Sequence, residues 1–176
     1  ALMKAGKIPV MTLSHKYIPT NSLGIIICSY TRRAVANIAR NMSADLQHNC
    51  ITIHKTLEYK PVVYQDEKVM DDGSIKNVNK RIFEPGRTSL NPLDENLVTI
   101  VIEEASMLSV DLWQKLLDAI PAPNKVQFIF IGDINQLPPT FGLAIFGFKL
   151  NELPVIELTE IYRQALESPI IGFAHR

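Results

Sequence analysis

Residues 98–106 read VTIVIEEAS, a β-branched apolar run that ends in two adjacent carboxylates, Glu103 and Glu104. A run so continuously hydrophobic suits a strand buried on both faces, as in a parallel sheet covered by helices. Two more runs have this character, Leu23 to Cys28 (LGIIIC) and Val126 to Ile131 (VQFIFI). Helical patterns lie between and around them. Val35, Ile38, Ala39 and Met42 recur at helical spacing behind Thr31, a candidate N-cap. Leu112, Trp113, Leu116, Leu117 and Ile120 do the same behind Ser109, with Asp111 in the first turn and Pro121 as the stop. Strand and helix in alternation predict an α/β layered fold. A fourth apolar run, Val155 to Leu158 (VIEL), is a candidate for a further strand.

The chain has 176 residues, 47% of them apolar, enough for one globular domain with a substantial core and too few for two full ones. Its formal net charge of zero conceals an asymmetry: residues 1–90 hold 13 Lys and Arg against 7 Asp and Glu, whereas residues 91–176 hold 5 against 11. A basic half suggests a surface that meets phosphate backbone, and an acidic half one that holds a cation. Cys28 and Cys50 have no CxxC spacing and are expected as buried thiols of a reducing compartment. No apolar run approaches the roughly 18 residues of a membrane span, and no leader signature is present. The expected compartment is the cytoplasm, or the host cytoplasm if the protein is viral.

Residues 60–87 break the rhythm. The stretch PVVYQDEKVM-DDGS-IKNVNKRIF sets Asp72-Gly73 between two extended segments, a two-residue hairpin signal. That turn pairs Met70 with Ile75, Tyr64 with Arg81, Val63 with Ile82 and Val62 with Phe83. The middle is polar on both faces, so the hairpin is expected to protrude rather than join a core. The chain thus divides into 1–59 with 88–176 as one α/β body and 60–87 as an inserted hairpin.

Chemistry is expected at the strand ends, because the carboxyl ends of parallel strands form the ligand crevice. The first carboxylate past a buried strand can hold Mg²⁺, usually through water, and the second can polarise a water aimed at a γ-phosphate. An isolated pair of acids at a strand end is more often simply solvated. The next strand weakens that alternative, since it ends in GDINQLPP (132–139) with Asp133 and Gln136 just beyond it. Gly132 would permit a tight turn there. A Gln in this position can hydrogen-bond a γ-phosphate or an attacking water.

Three motifs in order and spacing, VIEEAS, GDINQLPP and ELTEIYRQ (157–164), resemble motifs II, III and IV of superfamily 1 helicases, most closely the RecD/Dda-like 5′-to-3′ branch. SYTRRAVANI (29–38) resembles motif Ia, and TIHKTLEY (52–59) the segment that precedes a small inserted domain in that branch. The resemblance implies a RecA-like P-loop NTPase core with a parallel sheet, here without its first strand and P-loop, and an inserted β-hairpin. It implies ATP and Mg²⁺ as cofactors. It makes Glu104 the carboxylate that activates water, Gln136 the γ-phosphate sensor and Arg163 a second γ-phosphate contact, with Tyr162 near the adenine. Glu103 would join Glu104 at the metal. Thr31, Arg32, Thr52, His54 and Lys55 would lie on the path of single-stranded DNA, though a histidine such as His54 also serves as a core or capping residue. The hairpin, with Met70, Asp72, Gly73 and Ile75 at its tip, would be the strand-separating pin at fork duplex DNA.

Two departures from the family pattern stand out. Glu103 occupies the position of an Asp, one methylene longer. No GxxxxGK followed by Ser or Thr occurs anywhere in the chain. Ala1 to Gly6 (ALMKAG) reads like the end of the helix that follows such a loop, so the P-loop is expected upstream of residue 1. The P-loop segment and a second RecA-like domain of the same protein are then expected partners. The alternative function is a non-catalytic nucleic-acid-binding or assembly module derived from the helicase fold. Another P-loop ATPase, such as a packaging motor, would explain the paired acids but not the hairpin.

Overall fold

In the computed structural model, residues 24–71, 73–149 and 152–158 are described. The elements are β1 (Ile25–Ser29), α1 (Arg32–Arg40), α2 (Ala44–Gln47), β2 (Cys50–Thr52), α3 (Ile53–Thr56), β3 (Lys60–Val69), β4 (Ile75–Glu84), β5 (Thr99–Glu103), α4 (Val110–Asp118), β6 (Gln127–Ile131) and α5 (Phe146–Lys149). Four of the strands form one parallel sheet in the order β2-β1-β5-β6. The three apolar runs of the sequence are β1, β5 and β6. Their register sets Ser29 beside Glu103 and Glu103 beside Ile131, so the three strands end level at their carboxyl ends.

Alternate residues of the strands feed two apolar layers. Ile25, Ile27, Val101 and Cys50 meet Val35, Ile38, Ala39 and Met42 on the side of α1. Ile26, Cys28, Ile100 and Ile102 meet Leu112, Leu116 and Ile120 on the side of α4, together with Ile53 and Leu57. Both long helices begin at the expected caps. The Thr31 hydroxyl accepts from the Ala34 N–H at 3.1 Å, and the Ser109 hydroxyl accepts from the Leu112 N–H at 3.2 Å. Each satisfies a donor that the first helical turn leaves without a partner. Trp113 of α4 packs edge-on against Phe128 and Phe130 of β6, with ring centroids 4.9 and 5.4 Å away, and so anchors the half-buried strand.

Strand β2 escapes a reading by hydrophobic runs because it is only three residues long. It is recruited by β1 through Ile27↔Cys50 to Ser29↔Thr52, and fully buried Asn49 extends the ladder by donating from Nδ2 to the Ile25 carbonyl at 2.6 Å. The run at Val155–Leu158, a candidate for a further strand, forms none among the described residues, and Ile156 and Leu158 are 89% and 87% exposed. Among the described residues no helix is long and apolar enough to cross a membrane.

β3 and β4 form a separate two-stranded antiparallel sheet with almost every residue exposed, as expected of a protruding hairpin. Its register differs from expectation by one residue. Val69 faces Ile75, Val63 faces Arg81 and Val62 faces Ile82. The cause is the turn. The Met70 N–H donates to the Ser74 carbonyl at 2.8 Å and the Gly73 N–H to the Met70 carbonyl at 2.9 Å, with Gly73 at φ +81°. This is a three-residue loop closed by a left-handed glycine rather than a two-residue turn. The base is clamped from outside the ladder. Arg87 donates from Nη2 to Glu58 Oε1 at 3.1 Å and from Nη1 to the Pro92 carbonyl at 3.0 Å, while the Gly86 and Arg87 N–H groups both reach the Leu57 carbonyl.

Candidate functional site

At the end of β5 the backbone changes hand. Glu103 is the last strand residue and half-buried, whereas Glu104 stands at φ 54°, ψ 42° and opens a 3₁₀ turn over Ala105–Met107. A non-glycine residue in the left-handed region is uncommon and costs energy. Here it turns the chain sharply at the carboxyl end of the sheet, and Glu104 lines an open cleft of about 470 Å³.

The opposite wall comes from the segment after β6. Gly132 lies so close to the β5 turn that a Cβ on it would stand 3.0 Å from the Ala105 nitrogen and 3.2 Å from the Ser106 nitrogen and Phe146. Its role is therefore close approach, not the tight turn expected from sequence. Asp133 then organises the loop: its Oδ1 accepts from the Asn135 N–H at 2.9 Å and its carbonyl from the Gln136 N–H at 3.1 Å. Gln136 Nε2 also points back to Asp133 Oδ2 at 3.4 Å. Gln136 and Asn135 join Glu104 in lining the cleft, while Glu103 does not. A carboxylate and a primary amide across one cleft can hold a water between them and accept its proton. Among the described residues no three His, Cys, Asp or Glu side chains converge on one point.

The same loop continues past Pro138 to a second, smaller cavity of about 140 Å³, whose walls include Tyr30, His54, Tyr59, Thr140 and Phe141. Met107 lines both cavities. The rings of Tyr30 and Tyr59 meet His54 edge-on, with centroids 5.2 and 4.9 Å away. Burial, and then the charge of Lys115, pushes the His54 imidazole below its usual range, favouring the neutral form. Lys115 is paired with Asp111 at 2.8 Å. Burial raises the Tyr59 phenol. Phe141 is 82% exposed and forms an open lip.

The other sequence candidates divide by position. Thr31 caps α1, and the Thr52 hydroxyl caps α3 by accepting from the Lys55 N–H at 3.1 Å, so both hydroxyls already have a backbone role. Both lie at the carboxyl ends of β1 and β2, on the same edge of the sheet as His54. Arg32 and Lys55 are exposed in the first turns of the two helices. Met70, Gly73 and Ile75 are at the hairpin tip and line neither cavity. Tyr162, Arg163 and Asp72 lie outside the described residues. Tyr30, Tyr59, Met107 and Phe141 were not singled out from sequence. Tyr30 and Tyr59 sit inside the two segments noted there, SYTRR and TIHKTLEY, but only the fold brings them together.

A family model described as an AAA domain matches residues 5–142. The chain is 29% identical over 157 residues to the ATP-dependent RecD2 DNA helicase of Deinococcus radiodurans, covering 88% of this chain and 18% of that protein. It is 29% identical over 126 residues to an uncharacterised protein of Acanthamoeba polyphaga mimivirus, covering 69% of this chain and 22% of that one. The chain therefore spans about a fifth of the length of these relatives. A parallel sheet with an open cleft at its carboxyl strand ends defines the class, an α/β layered domain. The chain belongs to the AAA-domain family, and its parallel sheet is consistent with an α/β RecA-like core.

Proposed function

We propose that this chain is the ATP-reading part of the first motor domain of a DNA helicase that couples ATP hydrolysis to 5′-to-3′ translocation on single-stranded DNA and to duplex unwinding. The observation that carries the proposal is the loop 132–141. One end, with Gln136, faces Glu104 across the larger cleft, and the other, with Phe141, borders the aromatic cavity. In this reading Glu104 orients and deprotonates the attacking water, Gln136 and Arg163 contact the γ-phosphate, and Tyr162 stacks near the adenine. Glu103 and Glu104 supply too few ligands for a cation by themselves. That suits Mg²⁺, which is usually held by one or two carboxylates together with water and substrate phosphates. When bound, the ion would neutralise charge on the transferred phosphoryl group.

Single-stranded DNA would cross the edge formed by Thr31, Arg32, Thr52, His54 and Lys55, with a base against Tyr30, Tyr59 or Phe141. Neutral, aromatic-flanked His54 suits stacking better than ion pairing. The hairpin 60–87 would act as an inserted pin subdomain, with Met70, Asp72, Gly73 and Ile75 at the fork. The phosphate loop and the second RecA-like domain would come from other parts of the same protein, a view supported by the far greater length of the relatives.

The test uses the full-length protein that contains this chain. Glu104→Gln should reduce ATP turnover by about 10²–10⁴-fold while nucleotide binding persists, and strand displacement should proceed on a 5′-tailed duplex and not on a 3′-tailed one. Absence of any DNA-dependent turnover in the unaltered protein would favour a non-catalytic nucleic-acid-binding or assembly module instead. Turnover by residues 1–176 alone that Glu104→Gln abolishes would disprove the need for an external phosphate loop.

A further inference from the structure

The observed hairpin register sorts its charges by face. Residues paired across an antiparallel ladder share a face, and successive residues alternate. One face carries Lys60, Val62, Tyr64, Asp66 and Lys68 of β3 with Glu84, Ile82, Lys80, Val78 and Lys76 of β4. The other carries Arg81 and Glu67 as its only charges, among Gln65, Asn77, Asn79 and apolar residues. All four lysines of the ladder thus lie on one side of a hairpin whose two strands together carry five Lys and Arg against three Asp and Glu, so the net positive charge of the two strands sits on that face.

The outer half concentrates them. Lys68 and Lys76 face each other directly, and Lys80 follows on the same face four residues along, about 13 Å away. Asp66 is the acid between them, while Glu84, nearer the base, accepts a hydrogen bond from the Tyr64 hydroxyl at 2.8 Å. Like charges directly opposite on a ladder are destabilising. The register that a two-residue turn would impose pairs Lys68 with Asn77 and avoids the repulsion, whereas the three-residue loop creates it. None of the three lysines has an ion-pair partner among the described residues. A repulsive, exposed and unpaired cluster of this kind is complementary to a polyanion.

We infer that the Lys68, Lys76 and Lys80 face of the hairpin is a docking surface for the phosphate backbone of duplex DNA, with the Gln65, Asn77 and Asn79 face turned away from it. The inference rests on the nucleic-acid reading of the protein above, but not on the hairpin separating strands. Phosphate contacts give affinity that falls with salt, and each one lost lowers the slope of log K against log salt by about 0.9 on B-form duplex.

The experiment compares the unaltered full-length protein with Lys68→Gln/Lys76→Gln/Lys80→Gln and with Arg81→Gln on the opposite face. Fluorescence anisotropy reads binding to a 5′-tailed duplex and to its single strand across a salt series. The expected result is a slope on the tailed duplex lower by about 2–3, a smaller change on the single strand, and no change on either for Arg81→Gln. The thermal midpoint of the triple variant should hold or rise, because the replacement removes a repulsion. An unchanged slope on the tailed duplex overturns the inference and leaves the face to an acidic protein surface. Equal losses on both substrates, an equal effect of Arg81→Gln, or a lower thermal midpoint also overturn it. Failure of the unaltered protein to bind either DNA defeats the nucleic-acid reading itself, and a different result from these.

Discussion

Glu104 holds a left-handed backbone conformation, φ 54°, that a glycine would adopt without strain. Stability and chemistry therefore pull in opposite directions at this residue. Glu104→Gly should raise the unfolding free energy by about 1 kcal/mol and cut turnover sharply, whereas Glu104→Gln should cut turnover, by about 10²–10⁴-fold, without that gain. Denaturant titration beside an ATPase assay separates the two, and a Glu104→Gly protein no more stable than Glu104→Gln would contradict the strain argument. Gly132 shows the reverse case, being short of space rather than strained. Gly132→Ala should cost about 1–3 kcal/mol, because the new methyl meets the Ala105 and Ser106 nitrogens at 3.0 and 3.2 Å. His54 adds a pH dependence of definite sign. Its folded pKa lies below the unfolded value of 6.5, so the unfolded chain takes up the proton first as pH falls. The contribution of the neutral ring is complete above pH 6.5 and is lost as pH drops through the depressed folded value. Stability measured against pH should therefore fall less steeply below pH 6.5 in His54→Asn than in the unaltered protein; parallel curves would refute it.

At the scale of elements, what could be read from the sequence was what local chemistry decides. Helices α1 and α4 were legible because helical spacing and a capping hydroxyl act within a few residues. Strands β1, β5 and β6 were legible because burial on both faces leaves a continuous apolar run. Strand β2 was not, since its three residues depend on pairing with β1 and on the Asn49 side chain. The VIEL run was misleading for the complementary reason: apolar residues make a strand only when a neighbour offers a ladder, and among the described residues this run has none. In the hairpin, Asp72-Gly73 located the turn but not its length, and one residue of loop moved every side chain of one strand relative to the other. Glu104 and Gln136, which share the larger cleft, could be picked out because each follows an apolar run, while Glu103 does not line that cleft; the aromatic cavity joins residues from 30 to 141 that no local pattern connects. The hairpin tip carries its own prediction. Replacing Met70 to Ile75 by a short Gly-Ser turn should spare DNA-stimulated ATPase in the full-length protein and reduce unwinding, and equal loss of both activities would count against a pin.

For the whole molecule, the informative feature is that one short loop reaches two cavities. It is fixed at the β6 end by the Gly132 contact and the Asp133 turn. At the other end the Val110 N–H donates to the Leu143 carbonyl at 2.8 Å and the Ile145 N–H to the Leu108 carbonyl at 2.9 Å. Between these anchors Pro138 faces the larger cleft and Pro139 the aromatic cavity, each with its backbone φ restricted by the ring. A stiff segment held at both ends can pass a displacement from Gln136 to Phe141 rather than absorb it. If ATP and single-stranded DNA occupy the two cavities, their binding free energies must then be coupled, and linkage requires the coupling to be reciprocal. A non-hydrolysable ATP analogue should change the affinity for single-stranded DNA by the same factor as DNA changes the affinity for the analogue, within about 5–150-fold. Pro138→Gly with Pro139→Gly should shrink both factors together, because the flexible loop no longer ties one cavity to the other. The measurement is a pair of titrations in the full-length protein and its variant, each ligand with and without the other. Equal factors that survive the double replacement would mean that the coupling runs through Met107, the residue that lines both cavities, and not through the loop.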